Sequence, residues 1–305
     1  MSHVPVLLKE SIDFLVTKKN GIYFDGTAGF GGHSLEILSR LDNKGKLIAT
    51  DKDQSAFEFC RERFTEDKRF SIYHTGFTNI DSISKIEFID QFDGIFADLG
   101  VSSFQLDTVE AGFTFREDAV LDLRMNKAEG ISASDLLNKF SQEEIAKILF
   151  EYGEEKNSRL IAKKIVEFRL NEKFSRTSQL KEIVEQVTPV RFLNKSLSRV
   201  FQALRVYVNN ELEELKIFLD KSFSLLRPGG RIVVLSYHSL EDRIVKEKIK
   251  YESLSCICPQ GMPICTCGKV KRLKLVTHKP VVPGDNEIEK NRRARSAKMR
   301  VAEKV

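Results

Sequence analysis

The sequence predicts an α/β protein whose mainly parallel sheet is interrupted by an inserted helical domain. Three observations predict it. Short apolar runs alternate with helical segments between Ile22 and Leu99, the rhythm of βαβ units. The first run ends in a glycine-rich stretch, Asp25-Gly26-Thr27-Ala28-Gly29-Phe30-Gly31-Gly32-His33; such a loop lets a ligand approach the backbone at a strand-to-helix junction. After Asp98 the alternation gives way to helical periodicity, and sheet-like runs resume only at Ile232-Val233-Val234-Leu235.

Taken in order, Val6, Leu7, Ile12 and Leu15 make an amphipathic opening segment, and Ile22-Tyr23-Phe24 is a short strand delivering the glycine loop. Lys46–Thr50, Phe70–His74 and Phe92–Leu99 read as further strands, with helices after Gly32 and over Ser55–Phe64. In the insert, Ser132-x-x-Asp135 and Ser141-x-x-Glu144 are capping-box helix starts. Ile145, Ile148 and Leu149, then Ile161, Ile165 and Phe168, then Leu180, Ile183, Val184 and Val187 form apolar stripes sufficient for a small core. Ser196–Leu226 reads as helix, broken by Arg227-Pro228-Gly229-Gly230-Arg231. Leu273–Thr277 with Lys298–Ala302 form a closing hairpin. The expected divisions are residues 1–106, an insert over 107–195, and 196–305.

A chain of 305 residues can bury a full core. No apolar run approaches the roughly 20 residues of a membrane span, and Lys9, Glu10 and Asp13 interrupt the opening segment where a signal peptide is apolar. Four of the five cysteines share one short segment rather than a spread disulfide framework. A cytoplasmic protein is expected. The net charge of +5 is unevenly spread, residues 243–305 carrying 16 Lys and Arg against 6 Asp and Glu. That block suits a polyanionic partner.

The glycine loop and Asp51, at the end of the second strand, match a nucleotide-cofactor site in which the acid accepts from ribose hydroxyls. A dinucleotide fingerprint needs Gly-x-Gly-x-x-Gly, but the chain offers Gly29-x-Gly31-x-x-Ser34. NAD is thereby disfavoured against S-adenosylmethionine, which has no pyrophosphate to cradle. Asp98-Leu99-Gly100-Val101-Ser102-Ser103 closes the fourth strand, where open α/β sheets place reacting groups.

On these residues the chain resembles the bacterial S-adenosylmethionine-dependent methyltransferases that modify the exocyclic N4 of a cytosine in 16S ribosomal RNA, the small subunit methyltransferase H family. The resemblance is collinear over nearly the whole length. It includes His3-Val4-Pro5-Val6-Leu7-Leu8, Asp98 to Gln105, Tyr152-Gly153-Glu154-Glu155, Phe201-Gln202-Ala203-Leu204-Arg205, Ser236 to Arg243, and Arg293-Ala294-Arg295-Ser296-Ala297-Lys298. It implies a class I S-adenosylmethionine-dependent methyltransferase fold, Rossmann-like with a seven-stranded sheet. It also implies cofactor contacts at Gly31, Gly32, His33, Asp51, Phe77, Asp98 and Gln105. By themselves His33 reads as a solvent-facing residue at a helix start and Phe77 as a core aromatic.

Asp98 and His238 are the catalytic candidates. The first would hold the cytosine amino group and take up developing positive charge; the second would contact the base or accept a proton, with a structural imidazole as the alternative. The implied partner is 16S ribosomal RNA within the small (30S) subunit, with no membrane, and a homodimer is left open. Arg292, Arg293, Arg295, Lys298, Arg300, Lys269, Lys271, Arg272 and Lys274, with Arg124, are the candidate phosphate contacts. Cys256-x-Cys258-x6-Cys265-x-Cys267 can be read as four thiolates for tetrahedral zinc. The spacing is tighter than the ordinary Cys-x-x-Cys knuckle, so a reduced loop is expected and no metal ligand is assigned. Cys60 reads as a small buried apolar residue. A DNA amino-methyltransferase would carry prolines where Leu99-Gly100 stands. A non-catalytic assembly factor would not need the intact glycine loop, Asp51 and Asp98.

Overall fold

The computed structural model describes residues 5–100, 114, 116–127, 129–259 and 264–305. Gln105 and the segment after Gly100 lie outside them. Seven strands form one sheet in the order β3-β2-β1-β4-β5-β7-β6: β1 Ile22–Asp25, β2 Lys46–Asp51, β3 Phe70–His74, β4 Phe92–Asp98, β5 Leu226–Ser236, β6 Leu273–Leu275 and β7 Lys298–Lys304. The first five are mutually parallel, and β7 runs antiparallel between β5 and β6. The expected hairpin is therefore present, with Leu273 opposite Lys304.

Strand residues alternate between two buried layers, as a two-unit repeat requires. On one face Tyr23, Leu47, Ala49, Phe96, Val233 and Leu235 pack with α1 (Leu8–Leu15) and α2 (Gly32–Arg40). On the other, Phe24, Ile48, Ile95, Ala97, Ile232 and Val234 meet apolar residues of helices flanking that layer. Asp53 caps α3 (Gln54–Arg63), its side chain accepting from the N–H groups of Ser55 and Ala56. Phe77–Asn79 forms a 3₁₀ turn before α4 (Ile80–Ile86). Cys60 is fully buried, as expected of a small apolar residue.

The chain divides into two compact units, one comprising residues 1–100 with 212–305 and the other 101–211. In the second, α5 (Ala133–Lys139) and α6 (Gln142–Gly153) begin at Ser132 and Ser141, both as reciprocal capping boxes with Asp135 and Glu144. The unit continues through α7 (Ser158–Phe168), α8 (Thr177–Val187) and α9 (Val190–Val208). All three apolar stripes converge on its core.

Two expectations need correction here. The expected insert boundary at residue 195 falls inside α9, whose Leu197, Val200, Phe201 and Leu204 complete the helical unit's core. The expected single helix over Ser196–Leu226 is two. Asn210 takes a left-handed φ of 51° between α9 and α10 (Glu211–Leu225). Helical periodicity persists through the break because both segments bury apolar stripes, and asparagine tolerates that backbone state.

Candidate active site

From β1 the chain proceeds outward to β2 and β3, whereas β4 and β5 extend the sheet in the opposite direction. The carboxyl ends of β1 and β4 flank this switch point, where open α/β sheets bind ligands. Asp25, Asp51 and Asp98 terminate β1, β2 and β4. Three carboxylates thus share one edge of the sheet.

The loop between β1 and α2 is fastened by main-chain bonds. Gly26 N–H donates to Phe96 O at 2.9 Å and Ala28 N–H to Thr50 O at 2.9 Å. Asp25 is wholly buried; it accepts from Ser34 Oγ at 2.6 Å and Thr27 N–H at 3.1 Å. Burial raises its pKa to about 6 against those bonds. Gly31 caps α2 at φ 75°, and a Cβ there would come within 2.6 Å of the Phe64 ring. Both constraints require glycine. Gly32 lies against Pro5, whose Cγ would stand 2.3 Å from an added Cβ. At Gly29, with φ 51°, an added Cβ would meet nothing within 4 Å, so this part of the loop borders open space.

Asp51 is joined to that loop directly. One carboxylate oxygen accepts from Gly29 N–H at 2.7 Å and the other from Asp53 N–H at 2.9 Å. Burial nevertheless raises its pKa, since two backbone bonds replace only part of the lost hydration. Phe77 is half-buried and meets Phe218 of α10 edge-on, with ring centroids 4.8 Å apart. The aromatic therefore has a core partner while keeping part of its surface open beside Gly26, whose added Cβ would stand 2.9 Å from Phe77 Cβ.

Asp98 has the most strongly organised surroundings. Its N–H donates to Thr27 Oγ1 at 2.7 Å, and Tyr237 donates its hydroxyl to Oδ1 at 2.7 Å. His33 Nδ1 lies 3.7 Å from Oδ2. Burial drives the Asp98 pKa to about 7; the Tyr237 bond opposes that rise, and the charges of Asp25 and Glu241 add to it. His33 is only 6% exposed, which corrects the solvent-facing reading. Its Nε2 lies 3.2 Å from Val6 O. A carbonyl can only accept, which assigns the proton to Nε2. With Nε2 turned to Val6 O, it is Nδ1 that faces the Asp98 carboxylate.

His238 occupies a different role. It caps α11 (Ser239–Glu252), its Nδ1 accepting from Glu241 N–H at 3.4 Å, while Glu241 accepts from Tyr237 N–H at 2.9 Å. Its Nε2 is buried 3.1 Å from a Glu241 oxygen without the angle of a hydrogen bond. The imidazole and Glu241 fix the start of α11, and through it Tyr237. Tyr237, Thr27 and Asp25 are site residues that sequence reasoning does not single out; the position of Tyr237 just beyond the β5 strand end is the available signal for it.

The expected phosphate contacts separate into two groups. Arg300 and Lys298 pair with Asp242 at 2.6 and 3.3 Å, Lys274 with Glu303 at 2.7 Å, Lys269 with Glu252 at 3.2 Å and Arg124 with Asp122 at 2.7 Å. Arg272 donates to Ser224 Oγ at 3.1 Å. Arg292, Arg295 and Lys271 are exposed, and Arg293 is partly so.

A methylase family model, described as the MraW methylase family, matches residues 1–305. The chain belongs to the MraW methylase family. It is 48% identical over 304 residues to the ribosomal RNA small subunit methyltransferase H of Caldicellulosiruptor saccharolyticus, covering 99% of each chain. The protein of that name from Clostridium botulinum is 46% identical over 305 residues, again covering 99% of each. That from Fusobacterium nucleatum is 44% identical over 304 residues, covering 99% of this chain and 97% of its own. The chain is accordingly an S-adenosylmethionine-dependent methyltransferase. Among the described residues, no helix is long and apolar enough to cross a membrane.

Proposed function

We propose that this methyltransferase transfers the methyl group of S-adenosylmethionine to the exocyclic N4 of a cytosine in 16S ribosomal RNA, acting in the cytoplasm on the 30S subunit. The observation that carries this reading is the Asp98 carboxylate, held by Tyr237 at the switch point beside a glycine loop tethered to Asp51. The names and extents of the relatives support the substrate class.

The residues fit the cofactor. Gly31, whose own N–H is taken by Ala28 O at 2.8 Å, turns the chain so that Gly32 and the N-terminus of α2 offer backbone donors for a carboxylate, the open side of Gly29 leaves room for a ligand, and Asp51 is the ribose acceptor. Phe77 presents an apolar edge for adenine. His33 acts on the site through Asp98, and Gln105 is retained as a contact on the resemblance. When bound, S-adenosylmethionine supplies a sulfonium methyl already activated for in-line displacement.

The chain's own task is to orient the acceptor. A cytosine amino group is a poor nucleophile because its lone pair is delocalised into the ring, and an ionised Asp98 accepting its N–H strengthens it while balancing charge that develops on nitrogen. Tyr237 occupies Oδ1, which leaves Oδ2 as the accepting atom. Asp98 then receives the amino proton; in the free protein its pKa of about 7 suits it to hold and release one near neutrality. The target nucleotide must be unstacked to reach this position, and the exposed Arg292 and Arg295, just before β7 begins opposite the end of β5, supply phosphate contacts around it. His238 supports Tyr237 from the capping position.

The deciding experiment incubates the enzyme with methyl-labelled cofactor and, separately, naked 16S ribosomal RNA, 30S subunits and duplex DNA. Label in 30S subunits, recovered as N4-methylcytosine after nuclease digestion, is expected. Label confined to DNA, or to another base, overturns the assignment.

A further inference from the structure

The segment joining α11 to β6 carries Cys256, Cys258, Cys265 and Cys267, none of which takes part in the site described above. Their four ligand atoms all lie within 4.8 Å of one another. The Cys256–Cys265 and Cys265–Cys267 sulfurs are 3.5 Å apart, Cys256–Cys267 3.8 Å and Cys258–Cys265 3.9 Å. These spacings are far too long for a disulfide, about 2.05 Å. Four thiolates around a tetrahedral zinc, each about 2.3 Å from the metal, stand about 3.8 Å apart.

We propose that these four cysteines bind one Zn²⁺ as a closed, structural tetrathiolate site. The sulfurs already converge at the required spacing, although the Cys-x-Cys pairs are tighter than the usual knuckle and their pattern alone assigns no metal. Backbone donors complete the arrangement: Ile257 N–H points at Cys267 Sγ and Cys258 N–H at Cys256 Sγ, each at 3.4 Å. Such N–H···S bonds orient metal thiolates and spread their charge. Binding is ligand exchange without oxidation: Zn²⁺ gains four sulfur bonds as four thiols each lose a proton to solvent, leaving a site of net charge −2. Lys269, bonded to Glu252 and lying over the Tyr251 ring at 4.6 Å, and the exposed Lys271 supply nearby positive charge.

The site's role is mechanical. α11 starts at His238, and its 14 residues span about 21 Å. The cysteine cluster follows the far end of this helix, so zinc is outside methyl transfer. It instead fixes the basic run Lys269-Val270-Lys271-Arg272 where that run enters β6.

The test uses the full chain without an affinity tag, purified in reductant without chelator. Elemental analysis is expected to find one zinc per chain, released as a mercurial titrates the thiols. Exchange for Co²⁺ is expected to give the intense visible bands and thiolate-to-metal charge transfer of a tetrahedral sulfur site. In a Cys256→Ser/Cys265→Ser double variant, zinc content should fall at least about tenfold, while cofactor affinity, which reports the fold of the sheet domain, is retained. Metal-free wild-type protein with four reactive thiols, a pair of disulfides found by mass spectrometry, or a cobalt spectrum lacking sulfur charge transfer would overturn the proposal.

Discussion

The glycine-loop edge and the helical unit are ordered by opposite means. At the edge, Asp25, Asp51 and Asp98 hold backbone or hydroxyl groups, and glycine is required where a Cβ would strike Phe64. The described helical unit centres instead on a cluster of buried apolar side chains, among them Leu136, Ile145, Ile161, Leu180 and Leu204. Polar groups kept partly desolvated make a site able to respond to a charged ligand, whereas apolar burial gives stability without such response. Substitutions in the two regions should therefore fail differently.

The largest expected effect is at Asp98. Asp98→Asn should lower kcat on 30S subunits by about 10²- to 10³-fold, the scale of losing one charge-stabilising group, with cofactor affinity nearly unchanged in calorimetry. Undiminished kcat would remove Asp98 from the reaction. Asp51→Ala should instead weaken S-adenosylmethionine by about 100-fold, through loss of bonds to a charged acceptor worth about 1.5–3 kcal/mol each; unchanged affinity would contradict the ribose role. In the helical unit, Leu204→Ala should cost about 2–5 kcal/mol of stability in denaturant unfolding while leaving cofactor affinity intact. A parallel loss of affinity would break the contrast between the regions.

Smaller effects sharpen it. Tyr237→Phe should reduce kcat by about tenfold, the value of one hydrogen bond to a charged group, and carry a sign that a purely structural role would not. Tyr237 holds the Asp98 pKa down. Its removal should move the ascending limb of kcat/KM, expected near pH 7, toward alkaline pH. The same raised pKa sets a stability window: Asp98 contributes stability at pH below about 4, its unfolded value, and loses it as pH rises through about 7. Melting temperatures of Asp98→Asn should lack that component, and an identical pH profile would argue against the assigned environment. The mildest change is Arg292→Ala with Arg295→Ala, which should flatten the salt dependence of RNA binding by about one unit of slope for each phosphate no longer neutralised.

How much of this is legible depends on the signal. Strands from Ile22 to Asp98, both capping boxes and the closing hairpin follow from local pattern, because period and cap chemistry act over a few residues. The partners of Asp98 are not legible: Tyr237 is 139 positions away in sequence and meets it only through the β4–β5 pairing. The burial of His33 depends on Val6 and Phe96, neither predictable from a helix start. Charge counts overstate the basic segment, since they do not reveal that Arg300 and Lys298 are partners of Asp242. The end of the insert is hidden because an amphipathic helix does not announce which core receives its apolar face.

The placement of β7 between β5 and β6 has a consequence in time. Synthesis proceeds from the N-terminus, yet β6 joins the sheet through β7, and Leu7 N–H is satisfied by Glu287 at 2.8 Å. Val6, the residue before it, supplies the carbonyl that holds His33. A nascent chain can pair β1 to β4 early, but the Asp98 corner is completed only after Tyr237, which holds its carboxylate, and Glu287, which holds Leu7 beside Val6, have been made.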